Sequence, residues 1–192
     1  MKVKIALSGT HCSGKTTTLR KLRKRLASFG VDATCIFEVI RNCPYAVNEA
    51  GTERTEVWVM SKQILAELNI TAEVALLDRC IFDNLSYAEW SCQHGKLSKE
   101  TFEFLNSVAF GWARLSPYSL IFVLEPLPLV GDGIRSMSRK YQQEIHDILS
   151  KLFVHVQNQN PKTKIVWTGK LDDAKVDMMV KEILNAVKAT RQ

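Results

Sequence analysis

The segment Gly9-Thr10-His11-Cys12-Ser13-Gly14-Lys15-Thr16 restricts the fold most, because the pattern G-x-x-x-x-G-K-[ST] works only between an entering strand and a departing helix. Both are present. Val3, Ile5, Ala6 and Leu7 lead into it, and Thr16-Thr17-Thr18-Leu19-Arg20-Lys21-Leu22 opens a helix behind it. The glycines let the backbone curl until successive N–H groups point at phosphate oxygens, and the helix N-terminus adds partial positive charge. Lys15 can then reach the β- and γ-phosphates, and the Thr16 hydroxyl can ligate Mg²⁺. Gly9, Thr10, His11, Cys12, Ser13, Gly14, Lys15, Thr16 and Thr17 are therefore candidate contacts of a nucleoside triphosphate, ATP or GTP.

Behind this unit, strand and helix signals alternate, which implies a parallel sheet covered on both faces. The pattern predicts strands over about 2–8, 33–37, 73–78, 119–124 and 164–167. Helices are predicted from Lys15 to about Phe29, Glu53 to Asn69, Asp83 to Gln93, Ser98 to Ala113, Arg139 to about Gln157 and Asp172 to Ala189. In the second helix Val57, Met60, Ile64, Leu65 and Leu68 recur at helical spacing. Pro126 to Ser138 starts as loop. With no repeat, low-complexity tract or linker, residues 1–192 read as a single domain with a lid at about 126–139.

At 192 residues and 46% hydrophobic composition the chain can bury one α/β core. No charged leader precedes an apolar stretch, and no apolar run approaches the ~20 residues of a membrane span, so a cytoplasmic protein without membrane partners is expected. The five cysteines form no C-x-x-C pair, which argues for a reducing compartment rather than a disulfide or zinc framework. Cys12, though close to a helix N-terminus and a lysine, reads as a small residue that fits the loop. The net charge of +6 is partly local, in Arg20, Lys21, Arg23, Lys24 and Arg25. Such a run suits a solvated helix face, anionic substrates or nucleic acid.

Three further clusters sit at the C-terminal ends of predicted strands, where open α/β sheets hold ligands. Glu38-Val39-Ile40-Arg41 follows the second strand, and a helical turn would put Arg41 beside Glu38. Asp78-Arg79 closes the third strand, with Asp83 beyond it; an apolar strand ending in Asp is the pattern that holds Mg²⁺ directly or through water. Asp132-Gly133-Ile134-Arg135, then Arg139 and Lys140, follow the fourth strand, where two arginines on a flexible loop suit closure over a phosphoryl group.

The segments GTHCSGKTT, EVIR, LLDRCIFDNLSYAEW and DGIR together resemble the small P-loop kinases of nucleosides and nucleotides. The nearest resemblance is to the AAA-like domains that include the ribosylnicotinamide kinase domain, with thymidylate and deoxynucleoside kinases more distant. It spans Lys2 to about Leu184. It implies a three-layer P-loop sandwich around a five-stranded parallel sheet in the order 2-3-1-4-5, with a lid after strand four. It matches Glu38 to a general base after strand two, Asp78-Arg79 to an acid–arginine pair, and Arg135 and Arg139 to lid arginines. Thymidylate kinases usually carry an aromatic residue where this chain has Cys80. Phe82, Tyr87 and Trp90 lie near the site in sequence, and the sequence does not say which of them, if any, stacks on a base.

The expectation is an ATP- and Mg²⁺-dependent kinase acting on a nucleoside- or nucleotide-like small molecule. Lys15, Glu38, Asp78, Arg79, Arg135 and Arg139 would be catalytic, Glu38, Arg41, Arg79 and Asp83 would touch the acceptor, and Thr16 and Asp78 would hold the metal. Which of Glu38 and Asp78 is the base stays open. The alternatives are a polynucleotide 5′-kinase, a regulatory NTPase and a nucleotide-binding protein. No water-positioning residue favours the switch, and no aromatic–basic interleaving favours the polynucleotide reading. Oligomeric state is open, a homodimer included.

Overall fold

In a computed structural model that describes residues 2–131, 133, 136–159 and 162–191, the apolar runs become the middle of a sheet. Strands β1 (Val3–Ser8), β3 (Val74–Asp78) and β4 (Leu120–Leu124) are buried at every residue, as parallel strands covered on both faces require. Strands β2 (Ala33–Ile36) and β5 (Lys164–Gly169) form the less buried edges. All neighbours pair in parallel, in the order β2-β3-β1-β4-β5. This is the order the resemblance implied.

The helices are α1 (Lys15–Ser28), α2 (Glu53–Leu68), α3 (Ile81–Gln93), α4 (Lys99–Leu115), α5 (Arg139–Gln159) and α6 (Asp173–Arg191). Alternation along the strands feeds two cores. Ala6, Ala75, Leu77, Ile121 and Val123 face one, shared with α3, α4 and α5. Ile5, Leu7, Leu76, Phe122 and Leu124 face the other, against α1 and α6. Leu19, Leu22 and Leu26 of α1 are fully buried there, each stabilising by roughly 1.5–3 kcal/mol. Among the described residues no helix is long and apolar enough to cross a membrane.

Two local features depart from the periodicity. Helix α3 begins at Ile81, ahead of the expected Asp83, because Asp83 Oδ2 accepts the Cys80 N–H at 2.8 Å and closes a capping box. Helix α2 reverses part of its expected face: Val57, Leu65 and Leu68 are exposed, while Thr55, Glu56, Gln63 and Glu67 are buried. At its C-terminal end the cause is Lys4, buried in β1. Its ammonium meets Glu67 at 2.7 Å, and Glu67 also accepts from Gln63, Trp112 and Tyr118. Satisfied on every side, this ion pair is tolerated in the core, and it turns α2 away from its apolar stripe.

Candidate active site

The loop after β1 takes its shape from two backbone constraints. Gly9 has φ +144, and a Cβ there would lie 2.7 Å from the Leu124 carbonyl oxygen; Gly14, at φ +78, starts α1 from the left-handed region. Only glycine enters such conformations without strain. Lys15 folds back into the loop, donating to the carbonyls of Gly9 (2.9 Å) and Thr10 (2.6 Å) and to Ser13 Oγ (3.0 Å). Burial, and then Arg79, pull its ammonium down to about 8, while Asp78, Glu38 and Asp83 oppose the fall. An incoming anion would reverse that pull.

Thr16 Oγ1 donates to Asp78 Oδ2 across the end of β3. The other carboxylate oxygen, Oδ1, is buried with no hydrogen-bond partner among the described residues. A hydroxyl next to a carboxylate with a spare oxygen fits Mg²⁺, which takes one or two protein oxygens and completes its shell with phosphate and water. Among the described residues no group of three His, Cys, Asp or Glu forms a protein-only metal cage.

Arg79 follows Asp78 with φ +87, a costly conformation for a non-glycine residue. It aims the buried side chain at three partners. Nε meets Glu38 Oε1 at 2.6 Å, Nη1 donates to the Gly9 carbonyl at 3.2 Å, and Nη2 donates to the Tyr87 hydroxyl at 3.3 Å. Burial works against its charge, but Tyr87, Glu38 and Asp83 outweigh burial and hold it firmly protonated. A 3₁₀ turn at Val39–Asn42 brings Arg41 Nε to 3.8 Å from Glu38 Oε2, so the two residues share a side as the sequence suggested.

Beyond Glu38 and Arg79 opens a cavity. His11, Arg41, Val59, Asn84, Tyr87 and Tyr141 are among the residues that line it. A separate groove runs along Cys12 to Thr17. His11 lines the cavity and the next residue, Cys12, lines the groove, so the two adjoin along the loop. The segment after β4 rests on this loop: Leu127 N–H donates to the Cys12 carbonyl (2.8 Å), and from α5 Gln142 Nε2 donates to the carbonyls of His11 and Leu127.

An AAA domain family model matches residues 4–172. The chain belongs to the AAA domain family. No curated protein sequence matches it significantly. Among solved structures, this AAA domain superposes on NadR protein in complex with NR with a TM-score of 0.74 at 20% identity, over 97% of this chain and 52% of that one. A second NadR structure, in complex with NAD and AMP-PNP, gives a TM-score of 0.68 at 18% identity, over 97% and 50%. The AAA domain thus has the fold of about half of the NadR chain.

Within this AAA domain the structure gathers Lys15, Glu38, Asp78, Arg79 and Arg41 around one end of the sheet. Asp83 is a correction. Expected to touch the acceptor, it is wholly buried, its Oδ1 accepting from the Gly9 N–H (2.9 Å) and its Oδ2 from Cys80. Its carboxylate ties α3 to the phosphate loop and lies 3.7 Å from Arg79 Nη1. Arg139 opens α5 and is exposed, and Arg135 lies outside the described residues. Of the three aromatics left undecided, Phe82 sits in the core and Trp90 packs on His94 and Tyr141, while Tyr87 lines the cavity. The sequence reading missed Glu56, Asn84 and Tyr141. The only local signal was that Asn84, Tyr87 and Ser91 share one face of α3 at helical spacing.

Proposed function

We propose that this protein is an ATP-dependent phosphotransferase whose acceptor is a nucleoside- or nucleotide-like small molecule. The observation that carries the reading is the pair of adjoining concavities, a phosphate groove and a cavity, with Glu38 and Arg79 lining the cavity beside the loop. A hydrolytic switch needs the groove alone; a kinase needs both. The NadR structures with NR and with AMP-PNP support it as relatives in fold.

In this mechanism the loop N–H groups and the α1 N-terminus hold the triphosphate, and Lys15 releases the Gly9 and Thr10 carbonyls to meet its β- and γ-oxygens. Thr16 and Asp78 would hold Mg²⁺, which when bound neutralises charge on the phosphates. Glu38, oriented by Arg79, takes the proton of the acceptor hydroxyl. The acceptor oxygen bonds to the γ-phosphorus as the bond to the β-phosphate oxygen breaks, and ADP leaves. Glu38 is preferred to Asp78 as base because it lines the cavity, whereas Asp78 is engaged by Thr16. Arg139 and Arg135 would add charge when the lid closes.

The decisive experiment supplies γ-labelled ATP with separate panels of nucleosides, nucleotides, ribosylnicotinamide and 5′-hydroxyl oligonucleotides. Label in a small-molecule product is expected; release of free phosphate alone, unchanged by every acceptor, would contradict the reading. One observation favours the oligonucleotide arm as a second reading. Phe37, exposed beside Glu38, lies under the Arg20 guanidinium at 5.8 Å, a basic–aromatic surface of the kind that holds single strands. Lys21 and Arg25, in contrast, are partly neutralised by Asp173 and Asp177 of α6.

A further inference from the structure

The cavity is also lined from α2 and α3 by polar groups that phosphoryl transfer does not use. Glu56 of α2 is 7% exposed. Its only side-chain hydrogen bond among the described residues comes from Ser91 Oγ to Oε1, at 3.1 Å. No lysine or arginine pairs with it there, and burial pushes its carboxyl up to about 7, with Ser91 pulling the other way. From α3, Asn84 is 4% exposed, and its Nδ2 has no partner among the described residues. The rings of Tyr87 and Tyr141, 6.0 Å apart, and the side chain of Val59 make the neighbouring walls largely apolar.

Helix α2 itself shows that these groups are not ordinary buried polar residues. Eleven residues on, Glu67 is buried too, yet it meets Lys4, Gln63, Trp112 and Tyr118. Where this chain buries a carboxylate for structure, it satisfies it. Glu56 and Asn84 instead leave an acceptor and a donor facing one cavity, an unfavourable arrangement unless something completes them.

We propose that Glu56 and Asn84 determine acceptor specificity by reading the amide-type edge of a planar ring. An N–H of the ring system donates to the Glu56 oxygen that Ser91 leaves open, and an adjacent carbonyl or ring nitrogen accepts from Asn84 Nδ2. The inference rests on the cavity being the acceptor site. The acceptor hydroxyl must then lie at the Glu38 end, so the part that reaches α2 and α3 is the ring, beside Tyr87 and Tyr141. The chemical class is a nucleoside whose ring carries a carboxamide, lactam or amidine edge. A ring without that edge leaves both protein groups desolvated and unpaired, the most effective way for a site to reject an analogue.

The test is calorimetric binding, without turnover, to wild type, Glu56→Leu and Asn84→Leu, both near-isosteric. The probes are uridine, inosine, adenosine and N-ribosylnicotinamide. Each is compared with an analogue whose edge is blocked or removed: 3-methyluridine, 1-methylinosine, purine riboside and N-ribosylpyridinium. At least one intact probe should bind wild type roughly 10–100-fold more tightly than its analogue. The ratio should fall to within about threefold of unity in Glu56→Leu, where the ring N–H that the analogues block or lack has lost its acceptor, and fall only in part in Asn84→Leu, which keeps that acceptor. The proposal is overturned if intact and altered probes bind wild type equally, if the ratio survives in both variants, or if no probe binds. Should one variant fail to fold, the ratio in the other decides. A probe bound through its edge but never phosphorylated would defeat the phosphotransfer reading and leave this one standing.

Discussion

Replacing Glu38 by Gln separates two consequences of one carboxylate. The first is electrostatic. Glu38 and Arg79 are both buried and meet at 2.6 Å. Removing one partner of such a pair outright costs about 3–5 kcal/mol. Gln keeps the shape and an oxygen for Arg79 Nε, and Arg79 retains Asp83 at 3.7 Å and the Gly9 carbonyl at 3.2 Å. The stability loss should therefore be about 1–3 kcal/mol, the value of one charge-assisted hydrogen bond. The second consequence is chemical. Without a base, phosphoryl transfer should slow by about 10²–10⁴-fold, equivalent to roughly 3–5 kcal/mol of barrier. Urea unfolding reads the first, and initial rates at saturating ATP and acceptor read the second, with ATP affinity little changed. A folded Glu38→Gln protein whose kcat stays within about threefold of wild type would refute the assignment of the base.

Lys15→Ala should leave the fold intact by circular dichroism and lower kcat by about 10²–10³-fold, because the missing charge acts on the transferring phosphoryl group; more than a tenth of wild-type activity would contradict that role. Asp78→Asn should raise the Mg²⁺ concentration needed for half-maximal rate, and an unchanged metal titration would remove Asp78 from the metal site. Glu56→Gln should stabilise the protein in a pH-dependent way. The folded-state rise from 4.5 to about 7 means that wild type loses stability as pH climbs through that window, by at most about 3 kcal/mol above pH 7. The variant's melting temperature should match wild type near pH 4.5 and exceed it at pH 8; an equal difference at both would contradict a buried, unpaired carboxylate.

Local chemistry was legible in the sequence and assembly was not. The loop from Gly9 to Thr16 announces itself because its glycines and lysine sit at fixed spacing between a strand and a helix. The strand order came through resemblance, since alternation of elements predicts a parallel sheet but not which strand neighbours which. Helix α2 misled because periodicity assumes that apolar faces turn inward, whereas Lys4 in a central strand draws Glu67 in and leaves Leu65 and Leu68 outside. Asp83 misled for a related reason: a carboxylate five residues after Asp78 could face a ligand or cap a helix, and only the positions of the Gly9 and Cys80 N–H groups decide. Glu56, Asn84 and Tyr141 come from three helices and meet only in the folded cavity.

In the proposed mechanism two substrates occupy two adjoining sites at once. It is tested most directly by titrating an acceptor from the panel into protein already saturated with AMP-PNP and Mg²⁺. The acceptor should still bind, at unit stoichiometry and without displacing the analogue. Mutual displacement, with acceptor and AMP-PNP competing for a single site, would contradict it.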